Sequence, residues 1–240
     1  MPPAAVTSTP SATSNGAPAD TVAQVSVAAS AWWLGLPRAR DLGGLRRRDG
    51  THTPSGRVIR SATPSRLVSG QRAALEGAGV SLVLDLRSAD EVDARPHPFA
   101  AHAAYRRRPL IDPDAERRRD PAAERSVGEV YCASLHRNAA TLAAVFSTLA
   151  SAGPGPVLFG CAAGKDRTGM VAAILLDLAD VTRSEIVADY CRAEPGVARA
   201  SDIGAMLDHL QQHDGSSSAY LRGLGLSSGE VARVRSLLRP

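Results

Sequence analysis

The sequence is poor in lysine. Its 240 residues carry 28 basic side chains, of which 27 are arginine and one is Lys165. Positive charge is therefore a planar guanidinium nearly everywhere and a compact ammonium in a single place. Cysteine is also sparse. Cys132, Cys161 and Cys191 are odd in number, widely spaced and form no CxxC pair, which argues against a disulfide framework or a zinc site. No apolar run reaches the roughly 18–20 residues that span a bilayer. No Lys or Arg precedes Arg38, and the early apolar residues are broken by Ser, Thr, Asp and Gln, so the charged start of a secretory signal is missing. With reduced thiols, this points to a cytoplasmic setting, export by another route staying open. The net charge of +4 suits an anionic substrate but is too small to imply nucleic-acid binding.

What is present reads as one folded unit. Residues 1–30 are rich in Ala, Ser, Thr and Pro without a sustained period and are expected to be a disordered tail. The folded part, 31–240, is expected to begin at Trp32-Trp33, the only tryptophans, read as core anchors. Strands are predicted over 57–61, 81–87, 103–110 and 157–159, and helices over 67–77, from Ser88, over 126–152 in two pieces meeting near 136–138, over 167–179, and around 182–193, 199–212 and 227–238. The helix at 167–179 is apolar nearly all round, which places it in the middle of a domain. Strands separated by helices imply an α/β domain with a central, mostly parallel sheet and a helical C-terminal half. The charged, proline-bounded stretch from Asp112 reads as a mobile, lid-like segment near 112–136.

The lone lysine lies in Gly160-Cys161-Ala162-Ala163-Gly164-Lys165-Asp166-Arg167-Thr168-Gly169. Cysteine with arginine six places on is weak alone in so arginine-rich a chain. Its context is stronger: a buried strand precedes it, a buried helix follows it, and Gly164 allows a tight turn. A loop wrapping from a strand into a helix N-terminus turns successive N–H groups toward an anion, reinforced by the helix dipole. Arg167 can clamp two phosphate oxygens. A thiolate at the rim is stabilised by the same donors, so Cys161 is the candidate nucleophile, with Thr168 donating to its sulfur. Ala162, Ala163, Gly164, Lys165, Thr168 and Gly169 complete the candidate phosphate site. A P-loop nucleotide site fails on glycine spacing and on Asp166 standing where Ser or Thr should hold magnesium.

Cys161 to Gly169 resembles the signature of cysteine-dependent protein tyrosine phosphatases. The Lys165-Asp166 version is similar to the atypical bacterial tyrosine and lipid phosphatases, the PtpB-like group, and to eukaryotic phosphoinositide phosphatases. Arg40-Asp41-Leu42-Gly43-Gly44, Arg60-Ser61, and Leu84-Asp85-Leu86-Arg87 with Glu91 resemble that bacterial group's N-terminal pattern. The resemblance implies a tyrosine-phosphatase-like fold and a phosphocysteine hydrolysed by water without metal or other cofactor. It implies Asp166 as general acid, with Asp112, Asp114 and Asp120 as rivals, and phosphotyrosine proteins, phosphoserine/threonine or phosphoinositides as substrates. Lys165 would serve multiply phosphorylated substrates, its alternative being a salt bridge that steadies the loop. Gly160 departs from the family, which places His there to hold the loop and tune the thiolate. It motivates the other reading, a phosphate-binding module that turns over weakly.

Asp41 and Asp85 are expected to be structural, as orienters of Arg167 or of the loop's backbone donors. The arginine runs at 46–48, 106–108 and 117–119 are steering candidates that a solvated surface would equally explain. His209 and His213 have helical spacing but no acidic base between them, which speaks against zinc. Cys132 and Cys191 read as core thiols.

Overall fold

A computed structural model describes Met1 and residues 32–239; the expected tail, beyond Met1, lies outside the described residues. In chain order the strands are β1 (Arg40–Asp41), β2 (Val58–Ala62), β3 (Leu82–Asp85), β4 (Tyr105–Arg107) and β5 (Val157–Cys161). The helices are α1 (Gln71–Gly77), α2 (Ala89–Ala94), α3 (Pro113–Glu116), α4 (Val127–Arg137), α5 (Ala139–Ala150), α6 (Asp166–Leu178), α7 (Arg183–Cys191), α8 (Ala200–His209), α9 (Ser217–Gly223) and α10 (Ser228–Ser236). The five strands form one sheet in the order β1-β2-β5-β3-β4. Only the β1–β2 pairing is antiparallel.

The period of two along each strand sorts side chains between two cores. Val58, Leu82, Leu84, Val157, Phe159 and Cys161 face the larger one, shared with α6 and the C-terminal helices. Ile59, Val83 and Leu158 face a smaller core with Trp32, Leu36, Leu75 and Phe99. Each Leu, Val, Ile or Phe fully buried this way contributes roughly 1.5–3 kcal/mol relative to exposure. Helix α6 is buried from Thr168 through Leu176 and again at Leu178, as its all-round apolarity predicts. β5, central in the sheet, therefore ends beside a helix buried on nearly every side, and Cys161 is its last residue.

Local chemistry moved some boundaries. The first helix starts at Gln71 and not at Leu67, because Gly70 enters it with φ +83°. The strand expected over 103–110 is only three residues long, since Leu110 and Arg108 turn their N–H groups to the carbonyls of Leu86 and Asp85. Helix α9, capped by Ser216, was not foreseen in the serine-rich stretch. The segment from Asp112 contains a helical turn, capped by Asp112 onto the N–H groups of Asp114 and Ala115. Arg137 of α4 ties it down through Glu116 (3.1 Å) and Glu124.

Candidate active site

Parallel strands deliver their carboxyl ends to one edge, where open α/β sheets bind ligands. The ends of β2, β5 and β3 meet there, at Ala62, Cys161 and Asp85. From Cys161 the chain turns through residues 162–165 into α6.

Three of the loop's carbonyls are tied to donors outside it. Cys161 O accepts from Thr63 N (2.9 Å) and Thr63 Oγ1 (3.2 Å). Ala163 O accepts from Arg38 Nη1 (3.1 Å), and Gly164 O from Arg60 Nη2 (2.9 Å). A trans peptide sets its N–H opposite its C=O. The N–H groups of Ala162, Gly164 and Lys165 are therefore turned away from these outer donors, into the loop. With the N-terminus of α6 they form an anion-binding backbone. Gly164 makes the turn at φ +67°, and a Cβ there would lie 2.5 Å from Ala62 N, so any other residue is excluded both by conformation and by space.

Cys161 is buried. Thr168 brackets it: its hydroxyl donates to Sγ at 3.1 Å and accepts from the Cys161 N–H at 2.9 Å. Gly160, the departure in the signature, has a packing reason. A Cβ at 160 would stand 2.2 Å from the Ser61 carbonyl oxygen on the neighbouring strand. No side chain fits there, so whatever a histidine would do must be done from elsewhere.

Arg167 pairs bidentately with Glu91, Nη1 to Oε2 at 2.5 Å and Nη2 to Oε1 at 2.7 Å. The sequence explains how Glu91 arrives. Ser88 and Glu91 form a capping box on α2, Ser88 N donating to Glu91 Oε2 at 2.9 Å, and this fixes the carboxylate at the helix entrance. The hydrogen bonds from Arg167 hold the Glu91 carboxyl down at about 2. Burial pulls the Arg167 guanidinium down, but Glu91 and Cys161 together raise it above its ordinary value. The partner of Arg167 is thus Glu91 and neither of the two aspartates expected. Asp41 instead accepts from Gly43 N (2.8 Å) and Gly56 N (2.6 Å). Asp85 is taken by Arg87 (2.7 Å) and the Tyr105 hydroxyl (3.0 Å).

Asp166 opens α6 at the mouth of the loop, with its side chain 47% exposed. Tyr131 of α4 donates to its Oδ1 at 2.5 Å and shares a 2.8 Å hydrogen bond with the Tyr190 hydroxyl. Burial, then Asp166, push the Tyr131 phenol far above its ordinary value, so it stays a donor. The three rival aspartates have local partners. Asp112 caps α3, Asp114 pairs with Arg117, and Asp120 accepts from Ala122 N at 2.9 Å. Lys165 reaches Glu194 at 3.3 Å and Asp166 at 3.7 Å. Ala162 and Ala163 face solvent, while Gly164, Thr168 and Gly169 are buried.

A cavity of about 490 Å³ runs from Arg167 along Ile111 and Pro113, with Glu91, Glu116 and Arg117 at its edges. Its mixed lining suits an aromatic ring presented beside a phosphate. The arginine runs have other occupations. Arg47 is buried, with Nε on the Ala179 carbonyl (3.0 Å) just past the C-terminal end of α6, where a cation complements the helix dipole. Arg48 binds Asp177, and Arg108 binds Thr148. Among the described residues no group of three His, Cys, Asp or Glu side chains is placed to hold a metal, and no helix is long and apolar enough to cross a membrane. Glu91, Tyr131, Tyr190, Arg60 and Asp189 had no assigned role in the sequence reading, although Glu91 and Arg60 stood inside the quoted resemblance.

A model of the tyrosine phosphatase family matches residues 33–203. A tyrosine-protein phosphatase of Nostoc commune is 32% identical over 220 residues, covering 77% of this chain and 75% of that protein. The triple specificity protein phosphatase PtpB of Mycobacterium tuberculosis is 30% identical over 251 residues, covering 76% of this chain and 91% of that one. Among solved structures, P. aeruginosa TpbA in complex with pTyr aligns over 75% of this chain and 84% of that one, at 20% identity and a TM-score of 0.33.

Proposed function

The chain belongs to the tyrosine phosphatase family and is a protein-tyrosine phosphatase, and on that premise we propose that it works through a phosphocysteine on Cys161. The observation that carries this reading is the bracketing of the Cys161 sulfur by Thr168 inside a loop whose N–H groups are turned inward. In the first step the Cys161 thiolate attacks phosphorus in line. An S–P bond forms as the P–O bond to the substrate breaks, and Asp166 gives its proton to the departing oxygen. In the second, water attacks the phosphocysteine, its proton passes to Asp166, and the thiolate leaves with inorganic phosphate released. Arg167 and the loop N–H groups carry the charge on the equatorial oxygens throughout.

We infer Asp166 to be the acid because it alone among the candidates opens the helix that follows the nucleophile loop, oriented by Tyr131. No step calls for a metal or other cofactor. Substrate scope extends from phosphotyrosine to phosphoserine/threonine and phosphoinositides: Ala162 and Ala163 are small and exposed, and Lys165 can exchange Glu194 for a second phosphate. The test is a panel of phosphotyrosine, phosphoserine and phosphothreonine peptides and a phosphoinositide, with wild type and Cys161→Ser. Wild type is expected to turn over the tyrosine peptide and at least one other class, and Cys161→Ser none. A variant as fast as wild type on every substrate would remove Cys161 from the mechanism.

A further inference from the structure

Beneath the loop lies a charge that the chemistry above does not use. Arg60 on β2 is 1% exposed and, with Arg87, one of the two largest fully buried side chains among the described residues. A guanidinium taken so far from water is costly unless it is paired, and here both terminal nitrogens have partners while the buried Nε has none. Arg60 Nη1 pairs with Asp189 Oδ2 at 2.5 Å, and Nη2 holds the Gly164 carbonyl at 2.9 Å. Asp189, on α7, also receives Arg40: Nε to its Oδ1 at 3.0 Å and Nη2 to its backbone carbonyl at 2.9 Å. Two arginines and one carboxylate leave the cluster with a net charge of +1.

A pair meant only to pin α7 to the sheet would be neutral. The uncompensated charge is on β2, two residues before Ala62, the register partner of Cys161, and it interacts electrostatically with that thiol. Burial draws the Arg60 guanidinium downward, and Asp189 and Cys161 oppose it. Gly169, one turn into α6, leaves room for this arrangement: a Cβ there would lie 2.8 Å from the Tyr190 ring and 3.8 Å from Arg60 Nη2. Gly160 cannot carry a side chain of its own. The hold on the loop therefore comes from the adjoining strand.

We propose that Arg60, oriented by Asp189 and Arg40, is the positioning residue of this loop: it fixes the Gly164 carbonyl, so that the Lys165 N–H faces the phosphate, and supplies from below the positive charge that stabilises the Cys161 thiolate. The proposal rests on Cys161 being the nucleophile. It also answers the departure at Gly160, since the task falls to a side chain 100 positions earlier in the chain.

The experiment is the pH dependence of alkylation of Cys161 by iodoacetamide, followed on the Cys161 peptide by mass spectrometry so that Cys132 and Cys191 do not interfere. Steady-state kinetics run beside it. Arg60→Met is expected to raise the alkylation midpoint by about one pH unit or more and to lower kcat/KM at least tenfold. Arg60→Lys restores the charge and most of the midpoint but not kcat/KM, because one ammonium cannot serve both Gly164 and Asp189 in the same geometry. Asp189→Asn leaves the cluster at +2, and its midpoint moves down. Both Arg60→Met and Asp189→Asn loosen the same packing, so opposite shifts cannot come from loosening. If Arg60→Met does not fold, Arg40→Met, at the edge of the cluster, takes its place with the same upward shift. Midpoints that match wild type in all folded variants, or that move in one direction, overturn the proposal. Failure of the underlying reading is separately visible: alkylation of Cys161 would then leave turnover intact.

Discussion

Two sets of charges meet the loop between Cys161 and Arg167, and they are held differently. Below it, Arg60 and Asp189 are almost wholly enclosed, with side chains 1% and 3% exposed. On its rim, Arg38 and Glu194 are 40% and 32% exposed and Asp166 is 47% exposed, with Lys165, 16% exposed, paired to Glu194 and Asp166. A buried charge has no water to turn to, so it keeps one set of partners and fixes geometry. A rim charge is screened and exchanges partners at little cost. The lower set is suited to holding the nucleophile's surroundings constant, and the upper set to meeting different substrates. Breaking the lower set should therefore disturb stability and ionisation. Breaking the upper set should disturb rates and preferences.

The largest effect is expected from a buried ionisable group beside the β3 network. His97 is 8% exposed. Its Nδ1 accepts from Phe99 N at 3.1 Å, and its ring packs at 5.3 Å from that of Tyr105. Burial presses the His97 imidazole down to about 4 from 6.5. Above pH 6.5 the ring is neutral in folded and unfolded chains, and its full contribution is present. As pH falls below 6.5 the unfolded chain takes up a proton that the folded one refuses, so stability declines until about pH 4, where both are protonated. The loss amounts to on the order of 3 kcal/mol. Urea unfolding of wild type and His97→Asn across pH 7 to 4 measures it. Asn keeps an acceptor near the Phe99 N–H but cannot charge, so its curve should lack this decline. An equal decline in both proteins would assign the acid sensitivity to other groups.

On the rim, Asp166→Asn removes the proton donor while leaving a partner for Tyr131. A positioned general acid contributes roughly 10²–10⁴-fold, and most of that is felt only when the leaving group is poor. The variant should lose about a hundredfold in kcat on phosphoserine or alkyl phosphates and much less on an aryl phosphate with an acidic phenol. A uniform loss across leaving groups would mean that Asp166 only shapes the helix entrance, and the search for the acid would move to 112–120.

The same contrast explains what the sequence made legible. Lys165, Asp166 and the nucleophile belong to one local run, Cys161 to Gly169, so its spacing together with the strand before it and the helix after it could assemble them. The strand before it followed from a short apolar run and the buried helix after it from apolarity on nearly all sides, and a helix was expected from Ser88. The buried set is non-local. Arg60 and Asp189 are 129 positions apart, and Glu91 and Arg167 are 76 apart. Only the crossover order of the sheet, with β5 between β2 and β3, brings them together. Tyr131 was hidden for a related reason: a tyrosine on an amphipathic helix reads as core, and it is core, apart from the hydroxyl it extends to Asp166. Gly160 shows the converse case. Read along the chain it is a missing histidine; read across the sheet it is the contact that lets β2 and β5 close.

The smallest expected effect discriminates most finely, because it falls on the chain's one lysine. Lys165 is paired to Glu194, which also receives Arg38 at 3.1 Å. A rim pair of this kind contributes at most about 1 kcal/mol to stability, so Lys165→Ala should fold as wild type. Its cost depends on what the substrate brings. A monophosphorylated peptide places its phosphate in the loop and leaves Glu194 on Lys165, so kcat/KM should change less than about threefold. A phosphoinositide with a second phosphate offers the ammonium a dianion in place of a carboxylate, and removing that contact should raise KM about tenfold, consistent with one charge-assisted hydrogen bond. Arginine at this position would keep the charge but replace a compact ammonium by a planar fork, so Lys165→Arg should recover only part of the loss. Equal losses on both substrates would make Lys165 a brace between α6 and Glu194, and the rim would then select substrates through Arg38 and the walls at Ile111 and Pro113 alone.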